Sequence, residues 1–160
     1  VGVSVEAELG KIGGTEDQIV VSEAEATYTD PEEARIFVEE TGVDSLAIAV
    51  GTAHGVYKGE PKVDIERIKE IDRVVPVPLV LHGSSGVPYD TLENAVKAGI
   101  RKINIDTDIR ASFAGAVKEF VESNPEEIDP RKILKPARAR MADTVKEKIK
   151  VFGSDGKAWK

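Results

Sequence analysis

Among 160 residues there are two histidines and no cysteine. His54 follows the apolar run Leu46-Ala47-Ile48-Ala49-Val50, His82 follows Leu79-Val80-Leu81, and each stands directly before a glycine. Two imidazoles delivered by strand-like segments to neighbouring loops are the natural nitrogen ligands of a shared divalent metal. A lone His-Gly is more readily read as a strand cap bonded to nearby backbone, and it is the repetition that favours a common site. A catalytic zinc takes three protein ligands and keeps one position open. Without thiolate, the third donor here must be a carboxylate. Glu6 and Glu8 share one face of a strand that ends near Leu9, and such a pair repels unless a cation, a proton or a hydrogen bond offsets it. Glu8, nearer the strand end, is the candidate third ligand or a partner to one of the histidines. The loop Lys11 to Gln18, broken by Gly13-Gly14, carries Glu16, a carboxylate able to act as general acid or base when the loop closes, or simply a solvated charge.

These residues need a scaffold that gathers strand ends, and the chain order describes one. Val3 to Leu9 alternates as a strand. Asp30-Pro31-Glu32-Glu33 starts a helix that Gly42 stops after Thr41. Asp44 to Val50 is a buried strand, Asp64 to Val74 has helical period with Ile65, Ile68 and Ile71, and Pro78 to Leu81 is a strand again. Pro88 to Ala98 is a helix stopped by Gly99, and Arg101 to Asp108 reads as a fourth strand. A helix from about 109 to 122 follows, then a last helix beyond Asp129-Pro130 with Ala137, Met141, Val145 and Ile149 on one stripe. Strand, loop and helix thus recur four times. The expected class is α/β, a single domain over residues 1–160 made of about four βα units plus C-terminal helices, half of an eight-unit TIM barrel. The opening Val1-Gly2-Val3, already strand-like, suggests a longer chain, because half a barrel leaves open strand edges.

The bulk composition narrows the partners. A formal net charge of -7 argues against a nucleic-acid surface, while a small anion can still be held by a nest of backbone amides such as Gly83-Ser84-Ser85-Gly86. No apolar run approaches the length needed to cross a membrane and no signal-peptide pattern opens the sequence, so the cytoplasm is the expected location.

Five ordered blocks, V-E-A-E-L-G at 5–10, G-G-T-E-D at 13–17, G-T-A-H-G-V-Y-K-G at 51–59, L-V-L-H-G-S-S-G at 79–86 and K-I-N-I-D-T-D at 102–108, resemble the C-terminal part of class II, metal-dependent fructose-bisphosphate aldolases. The resemblance runs through the D-P-R-K tail. It implies a lyase that cleaves fructose 1,6-bisphosphate reversibly to dihydroxyacetone phosphate and glyceraldehyde 3-phosphate in glycolysis and gluconeogenesis, with zinc stabilising the enediolate. It implies that His54 and His82 bind zinc, that Glu8 binds it in an alternative position, and that Glu16 transfers protons. Gly55, Gly83, Ser84, Ser85, Asn104, Ile105, Asp106 and Thr107 match the family's contacts to the sugar phosphate. A monovalent cation, sodium or potassium, can sit near the phosphate on carbonyls around Ala53, Gly55 and Gly83. Such enzymes are commonly homodimers or homotetramers. The family's L-D-H-G block, with its remaining zinc histidine and catalytic aspartate, is not among these residues. A tagatose-bisphosphate aldolase of the same class, or a non-catalytic phosphate-binding half-barrel, fits the same residues.

Overall fold

The computed structural model describes residues 1–16, 19–22, 26–57 and 59–158, and for residues 15, 16 and 19–21 the backbone alone. Two compact units are distinguished, residues 1–105 and 106–160, and each has its own internal logic.

In the first unit the order is β1 (Glu6–Leu9), β2 (Gly13–Glu16), β3 (Ile19–Val21), α1 (Pro31–Thr41), β4 (Ser45–Ile48), β5 (Ala53–His54), α2 (Ile65–Val74), β6 (Leu79–Leu81), α3 (Tyr89–Ala98) and β7 (Ile100–Ile103). The strands β1, β4, β6 and β7 form one parallel sheet in that order. Sequence order and spatial order coincide, as short helical crossovers between parallel neighbours dictate. The central strands β4 and β6 are buried on both sides, with Leu46, Ile48, Leu79 and Leu81 on one face and Ala47 and Val80 on the other fully inaccessible. Over one face lie α1, α2 and α3, packed in succession and contributing buried Ala34, Ile68, Ile71 and Leu92. Each such Leu or Ile removed from water contributes about 1.5–3 kcal/mol, so these apolar runs set which strands become central.

The helix boundaries follow local chemistry. The Asp30 carboxylate accepts from the N–H groups of Glu32 (2.9 Å) and Glu33 (3.1 Å), and Pro31 occupies the first turn, where a missing N–H costs nothing. Gly42 ends α1, its N–H donating to the Val38 carbonyl. Asp64 caps α2 by accepting from the Arg67 N–H at 3.0 Å.

Three expectations from the sequence are corrected. The first strand starts at Glu6 rather than Val3, since pairing with β4 begins at Glu6 opposite Ser45 and leaves Val3 exposed. The segment from Lys11 to Gln18 is not all loop. Gly13–Glu16 pairs antiparallel with β3 and parallel with β5, placing Gly14 so close to the His54 backbone that a side chain there would collide with it. The fourth strand ends at Ile103, not Asp108, because Asp106-Thr107 begins the next helix. Asp17, Gln18 and Lys58 lie outside the described residues.

The second unit is a pair of packed helices, α4 (Thr107–Ser123) and α5 (Pro130–Val151). Asp129 caps α5 by accepting from the Arg131 N–H at 2.9 Å. The expected stripe is shifted: Ala137 is buried, but Val145 and Ile149 are exposed and Lys148 is buried instead. Ala137 and Lys148 are eleven residues apart, three helical turns, and the Lys148 ammonium reaches Asp108 of α4 at 2.6 Å. A long aliphatic stem with a paired charge fills that seam where a valine was expected. Among the described residues, no helix is long and apolar enough to cross a membrane.

Candidate metal centre

Side chains alternate across a strand, so Glu6 and Glu8 of β1 project from the same face, and the register sets Ser45 beside Glu6. The next strands present Val80 and Lys102 opposite one another. Lys102 nevertheless reaches Glu6 over two intervening strands, its ammonium lying 2.9 and 3.0 Å from the two carboxylate oxygens. Contact over that span requires the sheet to curl toward this face, as it does in a barrel.

At the C-terminal edge of the curled face stand the residues singled out from the sequence. Glu8, His54 and His82 each offer one ligand atom, and these atoms lie within 4.8 Å of one another. The two imidazole rings are 6.0 Å apart between centroids and inclined at 63°. His82 Nδ1 is 2.7 Å from Glu8 Oε2, and its Nε2 is 3.2 Å from Glu6 Oε1. The hydrogen bond to Glu8 pushes the His82 pKa up, partial burial opposes it, and the bond to Glu6 adds to the rise. Burial alone would raise the pKa of Glu6, but hydrogen bonds from Lys102, His82 and Ser45, with the Lys102 charge, together lower it.

The donor set suits a divalent cation of zinc type. Two imidazoles and a carboxylate are zinc's usual ligands when no thiolate is at hand, and three of them leave a coordination position open. Ligand atoms about 2.0–2.1 Å from a tetrahedral ion are separated by about 3.4 Å, so the cluster needs to contract by about 1.4 Å at its widest.

The remaining residues named from the sequence are distributed unevenly. Gly83 follows His82 directly and its backbone touches that of Ala53, the residue before His54. Ser84 is 1% exposed, with its hydroxyl turned back toward the carbonyls of Leu81 (3.4 Å) and His82 (3.5 Å). Ser85 is buried beside it. Gly55 is at positive φ just past β5. The Asn104 N–H donates to the Leu81 carbonyl at 3.1 Å, tying the end of β7 to β6, and Ile105 closes the first unit. Asp106 and Thr107 belong to the second unit, where Asp106 precedes α4 and pairs with Arg110 at 2.8 Å. The backbone of Glu16 ends β2, while its side chain lies outside the described residues.

Sequence reasoning missed three participants. Glu6 was paired with Glu8 on one face, yet its contact with His82 was not foreseen. Lys102 and Tyr57 stood inside the matching blocks without a role. The alternation that sets Lys102 inward is legible, but its partner is 96 residues away. Tyr57 donates its hydroxyl to the Gly83 carbonyl and accepts from the Ala53 N–H, both at 2.7 Å, and burial pushes its pKa up although the Ala53 N–H works against this.

Comparison with known proteins gives the family and the fold. The sequence model of the family "Fructose-bisphosphate aldolase class-II" matches residues 1–157. A fructose-bisphosphate aldolase of Thermus caldophilus is 46% identical over 181 aligned positions, covering 99% of this chain and 59% of the relative. The crystal structure of the YdjI aldolase from Escherichia coli K12 superimposes with a TM-score of 0.79 at 41% identity, over 98% of this chain and 52% of that one. The fructose-bisphosphate aldolase of Campylobacter jejuni does so with a TM-score of 0.72 at 28% identity, over 95% of this chain and 52% of its own. The chain thus spans between half and three-fifths of the length of these relatives, and its four strand-helix units correspond to part of a TIM barrel. With the sequence model matched along nearly the whole length, this chain belongs to the class II fructose-bisphosphate aldolase family.

Proposed function

We propose that the protein is a zinc-dependent aldehyde-lyase that cleaves fructose 1,6-bisphosphate reversibly to dihydroxyacetone phosphate and glyceraldehyde 3-phosphate, in glycolysis and gluconeogenesis. Residues 1–160 are read as the C-terminal portion of one barrel domain, whose other half supplies the remaining zinc histidine and a catalytic aspartate. The observation that carries the reading is the convergence of Glu8 of β1, His54 of β5 and His82 just past β6, whose ligand atoms lie within 4.8 Å of one another.

Each residue then has a task. His54 and His82, as neutral imidazoles, hold the metal, with Glu8 as ligand or as the carboxylate that orients His82. Zinc bound there supplies a Lewis acid that draws electron density from the ketone oxygen of the sugar phosphate. Glu16 takes and returns the proton at the carbon beside that ketone. Glu6 and Lys102 form a neutral pair under the site, which keeps the Glu6 charge from competing freely for the ion. Gly55, the amides of Gly83, Ser84 and Ser85, and the segment Asn104, Ile105, Asp106 and Thr107 hold the phosphate and hydroxyls. Backbone amides suit that role, because the Ser84 hydroxyl already faces its own strand end. A sodium or potassium ion is assigned to carbonyls around Ala53, Gly55 and Gly83, and Gly83 keeps one lone pair for it beside the Tyr57 bond. A cytoplasmic homodimer or homotetramer completes the reading.

The test uses the full-length protein, assayed for bound zinc and for cleavage of fructose and tagatose bisphosphates side by side. One zinc per chain and preferential cleavage of the fructose ester are expected. Preference for tagatose bisphosphate would move the activity to the sister specificity. Absence of zinc and of cleavage, with phosphate still bound, would make this a non-catalytic phosphate-binding barrel.

A further inference from the structure

His54 ends β5 and His82 directly follows β6, so the gap between them lies between two separate segments of the chain. What spans that gap is Tyr57. Its hydroxyl accepts from the Ala53 N–H, one residue before His54, and donates to the Gly83 carbonyl, one residue after His82. Both bonds are 2.7 Å, the first at the short end for N–H···O and the second at the usual length for O–H···O, and the second joins residues 26 apart in the chain. The same two backbones also touch directly, since a Cβ on Gly83 would stand 2.6 Å from the Ala53 carbonyl oxygen. On its other side the Ala53-His54 segment is held by β2, with Gly13 opposite Ala53 and Gly14 opposite His54. His54 is thus fixed between a strand and a hydroxyl bridge.

We infer that Tyr57 is a positioning residue of the metal centre, its hydroxyl clamping the strand ends that carry His54 and His82 at ligating separation. The inference rests on the metal-centre reading. Tyr57 acts through the backbone on which those side chains are mounted. A ring without the hydroxyl would leave the Ala53 N–H and the Gly83 carbonyl without their partner, and such half-buried groups then shift to find water or one another. Either shift changes the distance between the imidazoles, and a metal site tolerates only about 0.2 Å in its ligand distances.

Tyr57→Phe in the full-length protein tests this, with zinc affinity measured by chelator competition and cobalt(II) substituted as a spectroscopic probe. The expected result is a zinc dissociation constant raised about 10- to 100-fold, the range found for groups that orient metal ligands, together with a shifted cobalt absorption band. The metal-free protein should keep the circular dichroism of the wild type. Val56→Ala serves as the control, because Val56 is exposed and makes no part of the bridge. Its zinc affinity should be that of the wild type. Equal zinc affinity in Tyr57→Phe and wild type would overturn the inference, as would an equal loss in Val56→Ala. Failure of Tyr57→Phe to fold would overturn it too, for it would assign the hydroxyl to the fold rather than to the spacing. If the wild type itself takes up no zinc, the metal-centre reading fails first, and that outcome is separate from a zinc-binding wild type with an indifferent Phe variant.

Discussion

Gly83→Ala and Gly42→Ala form a matched pair that separates backbone strain from backbone contact. Both glycines have left-handed φ, 62° and 66°. Alanine in that conformation costs about 1–2 kcal/mol at either place. At Gly42 the added Cβ meets nothing within 4 Å, so strain is the whole effect. At Gly83 the Cβ stands 2.6 Å from the Ala53 oxygen and 2.7 Å from its carbonyl carbon, and ordinary contact begins at 3.4 Å. The two backbones must then part by about 0.8 Å, about four times the 0.2 Å that metal–ligand distances allow. Overpacking of this kind adds about 1–3 kcal/mol. In the full-length, metal-free protein, Gly42→Ala is expected to lose about 1–2 kcal/mol and Gly83→Ala about 2–5 kcal/mol in denaturant unfolding. Zinc affinity from chelator competition should be unchanged in Gly42→Ala and at least tenfold weaker in Gly83→Ala. Equal stability losses, or wild-type zinc binding in Gly83→Ala, would refute the claim that contact between these two loops sets the ligand spacing.

Glu16→Ala should slow exchange of the ketose-phosphate proton with solvent, followed by NMR in deuterated buffer, while zinc content stays at the wild-type level; loss of zinc would make that carboxylate structural. At the start of α5, the Arg131 side chain and N–H hold Asp129 below the ordinary carboxylate range, and Lys132 with the Asp129 N–H does the same for Glu127. A lowered folded-state pKa gives stability that is complete above the unfolded value and is lost as pH falls through the folded one. Acid titration followed by helical circular dichroism should therefore be shallower in Asp129→Asn, whose amide still caps the helix without titrating, and an unchanged acid limb would count against the ion pair.

What was legible in the residues was local. Asp30-Pro31 and Gly42 bound α1 because a cap, a first-turn proline and a left-handed stop act within a few residues of themselves. The apolar runs of β4 and β6 declared buried strands, and chain order then carried His82 to the end of the parallel sheet, while His54 stands six residues past β4 on β5 of a separate small sheet. Errors arose where a partner far along the chain decided the outcome. Gly13-Gly14 reads as a loop by itself and becomes strand only because the backbones of His54 and β3 lie on either side. In α5 the stripe was right at Ala137 and drifted off after it, since steps of four overrun the helical turn and the buried Lys148 follows from Asp108 on another helix.

Residue types and their order, taken alone, determined the α/β class, the four repeated units and a candidate metal site built of imidazole and carboxylate, because these depend on composition, capping and period. Only the tertiary structure decided that Glu6 joins His82, that Lys102 answers Glu6 from 96 residues away, and that Tyr57 spans the two histidine loops. Such contacts are set by curvature and register, which bring together atoms that no local pattern relates.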